Sequence, residues 1–96
     1  DNTALFQVAL AYDQGIGTTP NPILAAEYYL HCYQLGENGQ VAYRLGQLYA
    51  QGKGLDQDLK KAQGWFKSAL RLGCEEAKEA LKELSHQKPL ASSNKN

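Results

Sequence analysis

The sequence is 96 residues long, with ten acidic and ten basic residues and a formal net charge of zero at pH 7. A chain of this length forms one small domain, and its balanced charge provides no general attraction to nucleic acid or to an anionic membrane. No apolar run approaches the roughly 18 residues that span a bilayer, so we expect no membrane insertion. The two cysteines are too few for a disulfide framework, and neither has a second cysteine or histidine at metal-ligand spacing. We therefore expect no metal and no cofactor.

The chain matches itself when it is shifted by 37 residues. The matched pairs include Tyr12 and Tyr49, Gly15 and Gly52, Gly17 and Gly54, Tyr28 and Trp65, and Gly36 and Gly73. A further shift of 36 residues carries Val41, Leu45 and Leu48 onto Ala77, Leu81 and Leu84. A period of about 20–50 residues is the signature of a solenoid. The sequence thus predicts two full repeats, residues 4–40 and 41–76, and the first helix of a third at residues 77–85.

The first repeat predicts a helical hairpin. Residues 4–12 are apolar on nearly every side, and the glycines of "DQGIG" then interrupt the helix. Asn21 is suited to cap the second helix, because its side-chain oxygen can accept a hydrogen bond from a free backbone N–H group. Pro22 follows at the first helical position, where its missing N–H group does no harm.

The second repeat shows the same hairpin more clearly. Apolar residues recur at helical spacing from Val41 to Tyr49, and Gly52 and Gly54 end this helix with a bend. Asp58 is suited to cap the next helix, whose predicted buried face comprises Ala62, Trp65, Phe66, Ala69 and Leu70. No segment alternates as a strand does, so the sequence predicts an all-α fold.

The third unit stops after one helix. Residues 86–96 are polar and contain Pro89, so we expect a disordered tail at the true C-terminus of the parent protein. The chain begins at Asp1 and contains no methionine, so we expect a processed form or a fragment, with more repeats upstream.

The pattern of the second unit resembles the Sel-1-like repeat, a relative of the tetratricopeptide repeat. The matching residues are Leu45, Gly46, Leu48, Tyr49, Gly52, Gly54, Leu55, Asp58, Lys61, Ala62, Trp65, Phe66, Ala69 and Gly73. The first unit matches more loosely, with Ala9 for the first glycine and Leu24 for the lysine. The resemblance implies a right-handed superhelix of two hairpins and a capping helix over residues 1–85. It also implies an adaptor between proteins that has no chemistry of its own.

One Cys-rich branch of that family joins successive hairpins by disulfides, and this chain departs from it. Cys32 matches the first such position, but Gln40 stands where its partner would be.

The stretch "GQLYAQGKG" also invites comparison with a phosphate-binding loop. Such a loop leaves a strand and enters a helix, with backbone N–H groups facing phosphate. Here a helix precedes the glycines, Gly54 takes the place of the required serine or threonine, and the first repeat has Ile16 where a lysine is needed. The glycines therefore indicate a bend, and we expect no enzyme.

If the solenoid resembles the tetratricopeptide superhelix, the first helix of each hairpin lines the concave face. The residues projected onto this face are Phe6, Leu10, Asp13, Gln14, Tyr43, Gln47, Ala50, Gln51, Glu79 and Glu83. We expect a groove that is apolar above, amide-lined in the middle and acidic below, suited to a peptide with apolar anchors and a basic end. Phe6 and Leu10 have an alternative role, since an upstream repeat would also cover them.

A second hypothesis is self-association. A solenoid of two and a half units leaves its N-terminal end open, and about three repeats are normally needed for stability. Leu30, Tyr33 and Leu35 add apolar surface beyond the repeat pattern. Two copies stacked through this end would form a structural homodimer.

Overall fold

The computed structural model describes residues 2–86, which form five helices and, within that range, no strand. The helices are α1 (Asn2–Gln14), α2 (Pro22–Leu35), α3 (Gly39–Gln51), α4 (Leu59–Arg71) and α5 (Glu76–His86). This confirms the all-α prediction. The single helix of the third unit extends to His86, which the sequence had assigned to the tail, and residues 87–96 lie outside the described residues.

The helices pair as the repeat predicted. α1 packs against α2 and α3 against α4, which gives two hairpins, and α5 packs against α4. Contacts between α2 and α3 join the hairpins. The described part of the chain is therefore a helical repeat array that is one helix longer than two units.

The second helix of each hairpin begins at the predicted cap. The Oδ1 atom of Asn21 accepts a hydrogen bond of 3.1 Å from the Leu24 amide, and Pro22 is the first helical residue. In the second hairpin, Oδ1 of Asp58 accepts a bond of 3.0 Å from the Lys61 amide. Each cap satisfies an N–H group that has no partner inside its helix.

The glycine bends set the distance between neighbouring hairpins. Gly52 ends α3 in the left-handed conformation (φ 71°), and Gly54 repeats this conformation two residues later (φ 72°). A Cβ atom on Gly54 would collide with the backbone carbonyl of Pro22, at the start of α2. The bend of the second hairpin therefore packs closely against the first, which confirms the structural interpretation of these glycines.

Small residues let the helices of each hairpin approach. Ala9 and Ala25 in the first hairpin are fully buried, as are Ala62 and Ala69 in the second. At Gly46 a Cβ atom would lie only 2.6 Å from the ring of Phe66. The ring of Phe66 occupies the space that a side chain at position 46 would need.

Aromatic residues pack between the hairpins. Tyr33 of α2 meets Trp65 of α4 edge to face, with ring centroids 4.9 Å apart. Tyr33 and Leu30 are half-buried against the core, so the expectation that they add free apolar surface is wrong. Leu35 remains exposed, at 58% of its surface. The core consists of two clusters, one centred on α1, α2 and α3 and the other on α3, α4 and α5.

Candidate protein interface

A cavity of about 270 Å³ lies between α3 and α5. Its wall contains six of the residues projected from the sequence, namely Tyr43, Gln47, Ala50, Gln51, Glu79 and Glu83. These residues come from two repeat units. The repeat pattern thus brings together the side chains that the projection placed on the lower half of the face.

The floor of the cavity is apolar. The Phe66 ring from α4 is only 2% exposed and lies 5.8 Å from the Tyr43 ring, at an angle of 49°. Ala80 and Leu84 of α5 complete the apolar surface and pack against the same core cluster. An aromatic floor of this kind suits an apolar group or the aliphatic stem of a long side chain.

The rim on α5 carries three carboxylates. The Oε1 atom of Glu76 accepts a bond of 3.3 Å from the Gln40 side-chain amide and a longer one of 3.4 Å from the Cys74 thiol. Glu79 meets Lys82 at 4.0 Å, and both side chains are largely exposed. Exposed pairs at this distance contribute little. The rim therefore keeps a negative character toward the cavity.

The surroundings of the Tyr43 phenol change its pKa. Burial raises the pKa of Tyr43, and the carboxylates of Glu76 and Glu83 raise it further. Tyr43 is therefore a neutral hydrogen-bond donor at physiological pH, on the wall that faces the acidic rim.

The upper half of the projected face is built differently and does not line this cavity. Phe6 and Leu10 are half-buried against the first core cluster, and the Phe6 ring lies 6.1 Å from the ring of Tyr29. Asp13 accepts a hydrogen bond of 2.8 Å from the Tyr29 hydroxyl. Gln14 is exposed at the end of α1. Phe6 and Leu10 therefore contribute to packing whether or not a partner binds there.

Four lining residues were missing from the sequence projection: Glu76, Phe66, Ala80 and Leu84. Phe66 belongs to the second helix of its hairpin, and a projection of first helices alone omits it. The shift of 36 residues carries Gln40 onto Glu76 and Arg44 onto Ala80. Applying that shift to every residue of α3 would have identified the α5 positions.

The described chain shows no arrangement typical of metal binding or thiol chemistry. Within residues 2–86, no three His, Cys, Asp or Glu side chains are grouped so as to hold a metal ion. Cys32 and Cys74 are buried, and burial raises the pKa of both thiols. A buried, protonated thiol is a poor nucleophile. Among the described residues, no helix is both long and apolar enough to cross a membrane.

The protein-family match and the similar solved structures all point to helical repeats of one kind. The Sel1 repeat model matches residues 3–30 and 39–74. A Sel1 repeat protein from Oxalobacter formigenes is 24% identical, with a TM-score of 0.80 over 88% of this chain and 35% of that one. The likeness to this structure shows the fold alone. No curated protein matches the sequence significantly.

Two further solved structures are similar. One is c5321, a protective antigen of uropathogenic Escherichia coli with an SLR fold; it is 28% identical, with a TM-score of 0.79 over 90% of this chain and 18% of that one. The other is cysteine rich protein B of Helicobacter pylori, also 28% identical, with a TM-score of 0.73 over 83% of this chain and 59% of that one. The chain spans less than two thirds of the length of each of these three proteins.

Proposed function

The chain belongs to the Sel1 repeat family, and we propose that it is a non-catalytic scaffold that binds a segment of a partner protein in the cavity between α3 and α5. Sel1 repeat proteins are generally protein-interaction scaffolds. The scaffold role follows from the family, and the location of the site is our proposal.

The observation that carries this location is the convergence of two repeat units on one cavity. Tyr43 and Gln47 of α3 face Glu83 of α5 across an apolar floor that the Phe66 ring provides. Recognition sites combine buried apolar or aromatic surface, which contributes affinity, with a few polar groups that fix orientation. The cavity offers both, and its amide side chains can bond to the backbone of an extended peptide.

The experiment compares what the immobilised chain captures with what two double variants capture. Gln47→Ala with Gln51→Ala removes both cavity amides without touching the aromatic floor. Gln34→Ala with Gln63→Ala removes two exposed amides of α2 and α4, neither of which lines the cavity. We expect capture of a specific protein to fall about tenfold for the first pair, equivalent to about 1.4 kcal/mol, and to stay unchanged for the second.

The proposed site would be refuted if both double variants captured the partner to the same extent as each other, whether capture is kept or lost. Serine substitutions at Phe6 and Leu10 are unsuitable for this test, because both residues pack against the core. A loss of binding by such variants would report a loss of fold.

One observation favours self-association as a second candidate. Val8 of α1 is 37% exposed, whereas its counterpart Leu45 is fully buried in the core cluster that α2 shares with α3. The face around Val8 is therefore the one that a further hairpin or a second copy would cover. Light scattering tests this candidate: a dimer that Val8→Glu converts to a monomer supports it, and a monomer of the unmodified chain at all micromolar concentrations refutes it.

A further inference from the structure

The inference that follows rests on the proposed site and concerns the chemistry of the partner. The repeat places two equivalent positions along the concave face. The upper one lies beside Tyr29, and the lower one lies beside Phe66, which is the counterpart of Tyr29 at a shift of 37 residues. The ring pairs at the two positions are nearly alike, since Phe6 and Tyr29 are 6.1 Å apart at 51°, and Tyr43 and Phe66 are 5.8 Å apart at 49°. The two positions can therefore be compared residue by residue.

The upper position contains its own cation and its own polar pair. Tyr29 donates a hydrogen bond to Asp13 at 2.8 Å. Arg44 of α3 lies near enough for its charge to act on the pKa of Tyr29, against the larger opposing effect of burial. The Nε atom of Arg44 is buried and has no hydrogen-bond partner among the described residues. Arg44 thus lies near Tyr29 with its Nε atom buried.

At the lower position each of these residues has a smaller or less polar counterpart, although the charge of Arg44 also acts on the pKa of Tyr43. Ala80 stands at the position of Arg44, Ala50 at that of Asp13, and Phe66 replaces Tyr29 without its hydroxyl. Two of these three replacements, at Ala50 and Ala80, shorten a side chain. Both alanines and Phe66 line the cavity of about 270 Å³. The cavity is therefore the space that a repeat with an arginine at position 80 would fill.

The charge around this space has the opposite sign to the missing side chain. The shift of 36 residues replaces Gln40, Tyr43 and Gln47 of α3 by glutamates of α5, at positions 76, 79 and 83. All three glutamates line the cavity. Glu83 takes part in no hydrogen bond or ion pair with the described residues, and Glu79 has only the exposed pairing with Lys82. An incoming cation would thus find carboxylates that the fold itself leaves largely uncompensated.

We propose that the cavity between α3 and α5 binds an arginine side chain of a partner protein, which takes the place that Arg44 occupies one repeat above. The aliphatic stem lies on the apolar floor of Phe66, Ala80 and Leu84. The guanidinium group reaches the Glu79 and Glu83 carboxylates. Arginine fits better than lysine because its planar group stacks on aromatic faces and bonds to carboxylates through two parallel N–H donors.

The test uses two probes with neutral backbones that differ in the charge and in the N–H donors at the end of the side chain. N-acetylarginine methylamide carries the guanidinium group, and N-acetylcitrulline methylamide is its uncharged isostere. Each is titrated to about 50 mM into the ¹⁵N-labelled chain, because a fragment of this size binds in the millimolar range. We expect saturable amide shifts for the arginine probe at Tyr43, Gln51 and Glu83, and binding of the citrulline probe at least about fivefold weaker.

Two variants separate the cavity charge from general surface charge. Glu79→Gln with Glu83→Gln keeps the shape of the cavity and should weaken the arginine probe about tenfold. Glu75→Gln is the control, because this exposed glutamate precedes α5 and does not line the cavity, and it should leave binding unchanged. Ala80→Arg supplies the missing side chain from within, and it should abolish the shifts.

Three results overturn the inference: equal binding of the two probes, shifts that map outside the cavity, or no shift at about 50 mM. The proposed function is tested separately. If Gln47→Ala with Gln51→Ala loses capture of a partner while the arginine probe fails to bind, the site stands and the arginine assignment is wrong. If the variant with Gln47→Ala and Gln51→Ala keeps full capture and the arginine probe also fails to bind, both proposals fail.

Discussion

The two hairpins share one helical pattern and differ on the side where the sequence projection placed the concave face. In the α1–α2 hairpin, the side chains on this side contact one another. The Tyr29 hydroxyl donates a hydrogen bond to Asp13, and the Phe6 ring packs on the core. The α3–α4 hairpin has Phe66 and Ala50 at the matching positions, and it leaves a cavity against α5. The repeat thus determines the core of both hairpins, while the few departures from it leave the cavity in which we propose that a partner binds.

The hairpins also differ at the surface opposite the core. The bend and the start of the second helix carry exposed Ile16 and Ile23 in the first hairpin, with about 60% of each side chain in solvent. Lys53 and Lys60 occupy the matching positions in the second hairpin and are also exposed. Because apolar and charged residues are both exposed at these positions, packing does not select them. The following predictions test how far the comparison between the hairpins extends.

The largest loss of folding stability is expected for substitutions at Phe66 and Tyr29, which hold equivalent places in the two ring pairs. Phe66→Ala removes a ring that is 2% exposed and supports both Gly46 and Tyr43. Truncation of a buried Phe costs about 3–5 kcal/mol, because the transfer free energy is lost and a cavity remains. Urea unfolding measures the change, and Tyr29→Ala should give a loss of the same order. A loss below about 1 kcal/mol for Phe66→Ala would contradict the close packing of the Phe66 ring.

The second prediction concerns the contact between the helices of each hairpin. Gly46→Ala places a Cβ atom 2.6 Å from the Phe66 ring, so we expect a loss of about 1–3 kcal/mol from overpacking. Ala9→Gly makes the reverse change at the matching position and should cost about 0.5–1 kcal/mol, because glycine weakens a helix. Denaturant midpoints of both variants provide the measurement. A stabilised Gly46→Ala variant would show that the ring is free to move.

The third prediction follows from the buried phenol of the first hairpin. Burial, and then the hydrogen bond to Asp13, raise the pKa of Tyr29 above its ordinary value of 10.0. Above that pH the unfolded chain releases the phenolic proton while the folded chain keeps it, so stability is complete below about pH 10 and falls as the pH rises. The loss reaches about 1.4 kcal/mol at about pH 11.

Tyr29→Phe provides the control for this pH dependence. The variant loses one hydrogen bond, which costs about 0.5–1.5 kcal/mol at neutral pH, and it should lose stability less steeply between pH 10 and pH 11. Unfolding free energies of the two proteins across this range provide the comparison. Parallel curves would mean that Tyr29 titrates normally in the folded state.

The smallest loss of folding stability is expected at the N-caps of α2 and α4, where the two hairpins use different residues as hydrogen-bond acceptors. Asn21→Ala and Asp58→Ala each remove a side-chain acceptor from the first turn of a helix, and each should cost about 1 kcal/mol. Thermal unfolding measures both. If either substitution has no effect, solvent already satisfies the N–H group at that helix start.

Most of the fold could be predicted from the sequence because the repeat encodes it twice. The spacing of Val41, Leu45 and Leu48 gives the buried stripe of α3, and the glycines and caps give the ends of the helices. The packing of Leu30 and Tyr33 was not predicted, because Tyr33 meets Trp65 of the neighbouring hairpin and Leu30 packs against a core cluster that includes residues of α3.

The site was predictable only in part. Its α3 and α5 walls follow from helical periodicity and from the choice of the first helix of each unit. The floor was missed because Phe66 reaches the cavity through the gap that Gly46 leaves, which is a matter of packing in three dimensions. The size of the cavity depends on Ala50 and Ala80. A small residue in a sequence does not by itself reveal whether neighbouring side chains fill the space beside it.

The central claim is that partners bind between α3 and α5, and photo-cross-linking tests it most directly. A benzophenone amino acid is placed at Gln51 on the cavity rim, at Gln34 on the exposed side of α2, or at Val8 on the open face of α1. Irradiation in cell lysate should give a cross-linked partner from position 51 and none from position 34. Cross-links from position 8 or 34 with none from position 51 would contradict the claim, and a product of twice the chain mass from position 8 would establish self-association instead.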